Sequence, residues 1–122
     1  MWHVEYTDQF GNWFERLSED DQDMLVSRVE ELMTQGPKLG RPSVDNVKQS
    51  RHANMKELRA GRALRALFAF DPRRTAILLI GGDKSSNDST SPNWNRWYDT
   101  FVPYADRLYD AHLAALRSEG EI

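Results

Sequence analysis

The chain has 122 residues, no cysteine and a formal charge of −3, with 39% hydrophobic and 29% charged residues. This is the composition of a soluble globular domain long enough to bury a core, and we read residues 1–122 as one unit. The missing cysteines exclude disulfides and thiolate chemistry. The longest apolar run, Ala76 to Ile80, is too short to span a bilayer, and the first residues lack the pattern of a secretory leader. A cytoplasmic protein is expected.

The charge is unevenly placed. Lys38 to Lys84 holds 11 Lys/Arg against 4 Asp/Glu, a local +7, whereas the rest of the chain carries −10. A basic middle framed by acidic ends points to a surface that meets phosphate.

Trp2, Val4 and Tyr6 alternate with His3, Glu5 and Thr7, which predicts a strand with one buried face. A short helix follows, with Phe10, Trp13, Phe14 and Leu17 on one side. Ser18 then N-caps a longer helix, with acidic residues in its first turn and Leu25, Val29, Leu32 and Met33 as its stripe. Gln35-Gly36-Pro37 ends it. Lys38 to Ala53 has no period and reads as a long connection, a kind of segment that is often functional. Met55–Arg59, Ala63–Phe70 and Thr75–Ile80 are three strands, joined by turns at Ala60-Gly61 and at Asp71-Pro72-Arg73-Arg74. Gly81-Gly82 ends the last of them. A polar loop from Lys84 to Asn93 leads to a C-terminal helix carrying Trp94, Trp97, Tyr98 and Phe101, which Pro103 kinks or divides. The order β-α-α-β-β-β-α predicts an α+β fold, an antiparallel sheet with helices packed on it.

Several residues are candidates for chemistry. Arg65 interrupts an apolar strand on the face opposite Leu64 and Phe68. A two-residue turn at Ala60-Gly61 would set Lys56 across from it, a pairing that is unfavourable unless an anion lies between. Arg59 shares the strand of Lys56, and Lys84 follows the central strand. His52 falls in the basic connection, where it can exchange a proton near neutral pH. Arg51, Arg73 and Arg74 are candidate RNA contacts. Trp94, Trp97 and Tyr98 either stack on a nucleobase or cover the sheet. His3 and His112 are read as structural. Neither a Gly-rich phosphate loop nor metal-ligand spacing is present, so no cofactor and no metal are expected.

The chain resembles the RelE/ParE superfamily of bacterial toxins, and most closely its HigB-like branch. The resemblance rests on the element order and on Gly40-Arg41-Pro42, Ser50-Arg51-His52, Asn54 to Arg59, Arg65 to Asp71, Gly81-Gly82-Asp83-Lys84, Trp97-Tyr98 and Ala105-Asp106. It implies the toxin of a type II toxin–antitoxin pair, neutralised by a cognate antitoxin, here a helix-turn-helix, HigA-like protein. RelE- and HigB-like members cleave mRNA in the ribosome, without a metal, through attack of the 2′-hydroxyl on phosphorus. ParE-like members share the fold and poison gyrase, and a toxin can also be catalytically inactive and bind only its antitoxin. The resemblance places Arg65 at the scissile phosphate and Lys84 at the cation ending the last strand. Lys56, Arg59 and His52 complete the catalytic candidates; Arg51, Arg73, Arg74 and Trp94 are the RNA-binding ones. The chain departs from RelE where Glu57 stands in place of a lysine, and no tyrosine follows Lys84 until Tyr98.

Overall fold

A computed structural model describes residues 1–84 and 94–122, the side chains of residues 94 and 95 excepted. The elements are β1 (Val4–Tyr6), α1 (Asp8–Glu15), α2 (Glu19–Gln35), a 3-10 turn (Gly36–Lys38), β2 (Val44–Asn46), β3 (Lys56–Ala60), β4 (Leu64–Phe70), β5 (Ala76–Asp83) and α3 (Trp94–Ser118). The α+β class is as expected. Both N-terminal helices begin on hydroxyl caps: Thr7 Oγ1 accepts from Phe10 N at 3.0 Å and Ser18 Oγ from Asp21 N at 3.2 Å.

Four details differ from the sequence reading. The long connection contains a strand, β2, so the sheet has five strands in the order β1-β5-β4-β3-β2. The sheet is mixed rather than antiparallel throughout, because β1 runs parallel to β5. This follows from connectivity: two helices separate β1 from the meander, long enough to carry the chain back to the same end. The strand β5 continues through Gly81-Gly82 to Asp83, since glycines paired on one side still complete a ladder. The helix α3 runs unbroken across Pro103.

The sheet separates two cores. One face holds Leu58, Leu64, Ala66, Phe68, Ala76 and Leu78 under α1 and α2, which contribute Phe10, Leu25 and Leu32. The other holds Met55, Leu67, Ala69, Ile77, Leu79 and Ile80 under α3, which contributes Trp97, Val102, Ala105 and Tyr109. A register shift between Leu67 and Phe68 leaves Leu79 unmatched on β5. This bulge puts Leu79 and Ile80 on the same face. Phe68, Leu67, Leu25 and Val102 are fully buried, and truncating one such side chain costs about 2–5 kcal/mol.

Candidate functional site: a charged cluster under the start of α3

The β3–β4 hairpin decides which cations meet. Ala60 pairs with Leu64, so three residues form the loop, and Arg59 lies opposite Arg65 while Lys56 lies opposite Phe68. Lys56 therefore shares a face with Leu58 and Ala60, towards α2, and its Nζ donates to Asn46 Oδ1 at 3.1 Å. The pairing of Lys56 with Arg65 expected from a two-residue turn at Ala60-Gly61 does not form: the loop is Gly61-Arg62-Ala63, the partner of Lys56 moves three residues to Phe68, and this odd shift puts Lys56 on the other face from Arg65.

Glu57, Arg59 and Arg65 point to the α3 face. Arg65 is 6% exposed and Glu57 3%. Two guanidinium groups directly opposite one another repel, and their partners differ. Arg59 Nε donates to Glu57 Oε1 at 2.8 Å and its Nη2 to Asp45 Oδ2 at 3.2 Å. Among the described residues Arg65 donates to backbone carbonyls, those of Leu64 at 2.8 Å and Arg62 at 3.3 Å, with the Tyr98 hydroxyl close to its guanidinium. Two buried atoms have no hydrogen-bond partner among the described residues: Arg65 Nε and Glu57 Oε2. A buried polar atom left unsatisfied costs about 1–3 kcal/mol, so this end of the sheet is built at a cost to stability.

Tyr98 and Lys84 complete the cluster. Lys84 Nζ stands 5.5 Å from the centre of the Tyr98 ring. Burial lowers the Lys84 ammonium pKa, and the Arg65 charge lowers it further. Burial and the neighbouring Glu57 carboxylate push the Tyr98 hydroxyl up to about 12. The sequence offered little sign of this pair: Glu57 was a departure from a family pattern, and Tyr98 one aromatic in a helical stripe.

Glycines let α1 and α3 close on β5 beside the cluster. A Cβ on Gly81 would sit 2.2 Å from the Trp13 indole, and one on Gly82 would sit 2.5 Å from Trp97 Nε1. Gly82 is the cross-strand partner of Arg65, so the Trp97 indole roofs the position next to the guanidinium. The two indoles bound a cleft of about 590 Å³ that also meets Arg16 and Tyr104.

The other candidates lie elsewhere. His52 Nε2 is 2.7 Å from Asp110 Oδ1, with its ring against Tyr109. Asp110 is twelve residues along α3 from Tyr98, about 18 Å of helix, so His52 is not brought to the Arg65 cluster. Arg51 pairs with Asp110. Arg73 is bound to Asp71 and Glu5, each at 2.8 Å. Arg74 has a left-handed backbone (φ 67°) and packs 4.9 Å over Trp2. The Trp94 side chain lies outside the described residues. His112, read as structural, is 2.8 Å from Asp71 Oδ2.

The α+β arrangement of sheet and helices is shared with solved toxin structures. The family model "Phage derived protein Gp49-like (DUF891)" matches residues 12–110. The Mycobacterium tuberculosis (strain H37Rv) protein named "Putative toxin HigB3" is 46% identical over 113 residues, 92% of this chain and 94% of that one. The protein named "Putative toxin HigB2" from the same organism is 40% identical over 111 residues, 88% of this chain and 52% of its own length, so this chain spans about half of that relative. Among solved structures, the RelB-RelE antitoxin-toxin complex from Methanococcus jannaschii is similar in fold, with a TM-score of 0.56 at 13% identity, covering 68% of this chain and 93% of that one. The chain belongs to the Gp49-like family and is HigB-like, a relative of proteins named as HigB toxins.

Proposed function

We propose that this HigB-like toxin is an mRNA endoribonuclease acting in the ribosome, held inactive by a cognate antitoxin of the helix-turn-helix, HigA-like kind. Residues 1–122 would act as one unit in the cytoplasm. The observation that carries the reading is the buried Arg65 guanidinium, whose Nε has no hydrogen-bond partner among the described residues, as the buried Glu57 Oε2 has none. A buried donor and a buried acceptor on one face of the sheet, both unsatisfied among the described residues, match a ligand with a charged oxygen and a hydroxyl, as an RNA phosphodiester has. In this reading the 2′-oxygen attacks phosphorus, its proton passes to a base, and the P–O5′ bond breaks as the 5′-oxygen is protonated. Arg65 stabilises the oxygens on phosphorus, and Lys84 adds a second positive charge. Arg59 holds Glu57 by its other oxygen, which orients Oε2 as the proton acceptor. Tyr98, protonated at any physiological pH, is placed to donate. Lys56 and His52 fall outside this mechanism. Arg51, Arg73 and Arg74 are held by Asp110, Asp71 and Trp2, so RNA contact would be a second duty for them.

Primer extension on a translated reporter mRNA tests the proposal. Cuts within the reading frame with the wild type, lost with Arg65→Ala, are expected. Intact mRNA with inhibited gyrase would replace it with the ParE-like reading. Intact mRNA and unaffected gyrase, with antitoxin still bound, would make the chain an inactive toxin.

A further inference from the structure

The cleft between α1 and α3 plays no part in the proposed chemistry. The strand β1 covers β5 only from Ala76 to Leu78, and Thr7 Oγ1 closes on the Leu79 carbonyl at 2.6 Å. Beyond that point the β5 edge is flanked by helices instead of a strand. On α1, Gln9, Asn12, Trp13 and Arg16 recur at i, i+3, i+4 and i+7, so one stripe of the helix lines the cleft. Gln9, Asn12 and Arg16 are exposed, and no hydrogen bond or ion pair of their side chains is made among the described residues. Trp97 forms the opposite wall and separates the cleft from Arg65 by the width of Gly82.

Aromatic walls, side-chain amides and a guanidinium form a set suited to a nucleobase. Indoles supply faces for stacking, amides read a base edge with a donor and an acceptor each, and arginine takes phosphate. We propose that this cleft seats one base of the single-stranded RNA whose backbone is gripped at Arg65, with the partly exposed Trp13 stacking on it and Gln9 and Asn12 contacting its edge. The inference rests on the nuclease reading for the identity of the RNA. The site itself is defined by residues outside the catalytic cluster, and it gives the toxin a sequence preference of its own.

The test uses 2′-O-methyl RNA hexamers, which cannot be cut, titrated into the intact toxin and followed by tryptophan fluorescence. The comparison variants are Asn12→Ala/Arg16→Ala, at exposed helix positions, and Arg65→Ala. Quenching that depends on base identity, weakened about tenfold in Asn12→Ala/Arg16→Ala, is expected. In Arg65→Ala the affinity falls while the base preference remains. Binding with no base preference, or unchanged in the α1 variant, overturns the proposal even if the wild type cleaves mRNA. Retained RNA binding with loss of antitoxin affinity in the α1 variant overturns it in favour of a peptide groove. Base-dependent binding by a protein that cuts no mRNA would keep the subsite and refute the nuclease reading alone.

Discussion

Two groups of charges lie between α3 and the sheet, and they are built in opposite ways. At the C-terminal half of α3 the carboxylates of Asp71, Asp106 and Asp110 are all matched. Asp71 accepts from Arg73 N at 2.8 Å and Thr75 N at 3.2 Å, from the Arg73 guanidinium at 3.0 and 2.8 Å, and meets His112 at 2.8 Å. Asp106 accepts from Ser50 Oγ at 2.5 Å and from Arg51 N at 3.3 Å, while Asp110 takes His52 and Arg51. At the N-terminal half, Arg65 and Glu57 each keep a buried atom without a partner among the described residues. A matched network holds a helix in place. An unmatched one is a stability cost that makes sense where a ligand completes it. The same helix is thus latched at one end and, in the proposed function, works at the other.

The largest effect should come from breaking the latch. Asp71→Ala leaves Arg73 and His112 without their buried acceptor and should destabilise the protein by about 3–5 kcal/mol in urea unfolding. Burial raises the Asp71 pKa, but its hydrogen bonds to His112, Arg73 and Thr75 outweigh burial and hold the carboxyl below its usual 3.8. A carboxyl lowered on folding stabilises above its unfolded pKa. That contribution should be complete above about pH 5 and fade as pH falls through 3.8 and below. A wild type whose stability stays flat across that range, or an Asp71→Ala variant that keeps the same fall, would contradict the assignment.

Arg65→Ala should do the reverse: the fold survives, and cleavage falls by about 10²–10³-fold, the loss typical of removing one oxyanion donor. Circular dichroism and a single-turnover assay separate the two effects. Tyr98 gives a smaller effect. Its hydroxyl is raised from 10 to about 12, so the folded state holds its proton where the unfolded chain would lose it. This stabilisation is present below pH 10 and is lost as pH rises through 12. Alkaline unfolding of Tyr98→Phe should lack this component. The smallest effect belongs to His52→Ala, which removes one partly exposed histidine–carboxylate contact. It should cost about 1 kcal/mol or less and leave any cleavage unchanged.

The contrast also marks what the sequence can and cannot reveal. The capped helices, the meander and Arg65 on the α3 face were all readable, because period and capping are local properties. The site was only half readable. Whether Lys56 or Arg59 faces Arg65 depends on where the hairpin turns: a two-residue turn at Ala60-Gly61 would pair Lys56 with it, the observed Gly61-Arg62-Ala63 loop pairs Arg59, and this shift of three exchanges the faces. His52 looked like a proton-transfer candidate and Arg51 like an RNA contact because both fall in a basic loop, which reads as a phosphate surface. The carboxylates that take them lie more than fifty residues away on α3. Glu57 could not be read as part of a site, since its burial depends on a helix that begins after the last strand. The short strand β2 was missed because Val44–Asn46 is too brief to show a period.

The central claim is that the unmatched end of α3 is the working end. The most direct test is the single-turnover rate of mRNA cleavage on programmed ribosomes for wild type, Arg65→Ala and His52→Ala, with folding checked in the same samples. The account predicts a rate near zero for Arg65→Ala and an unchanged rate for His52→Ala. A folded Arg65→Ala that cuts at the wild-type rate, or a folded His52→Ala that does not cut, would contradict it and move the chemistry to the matched end.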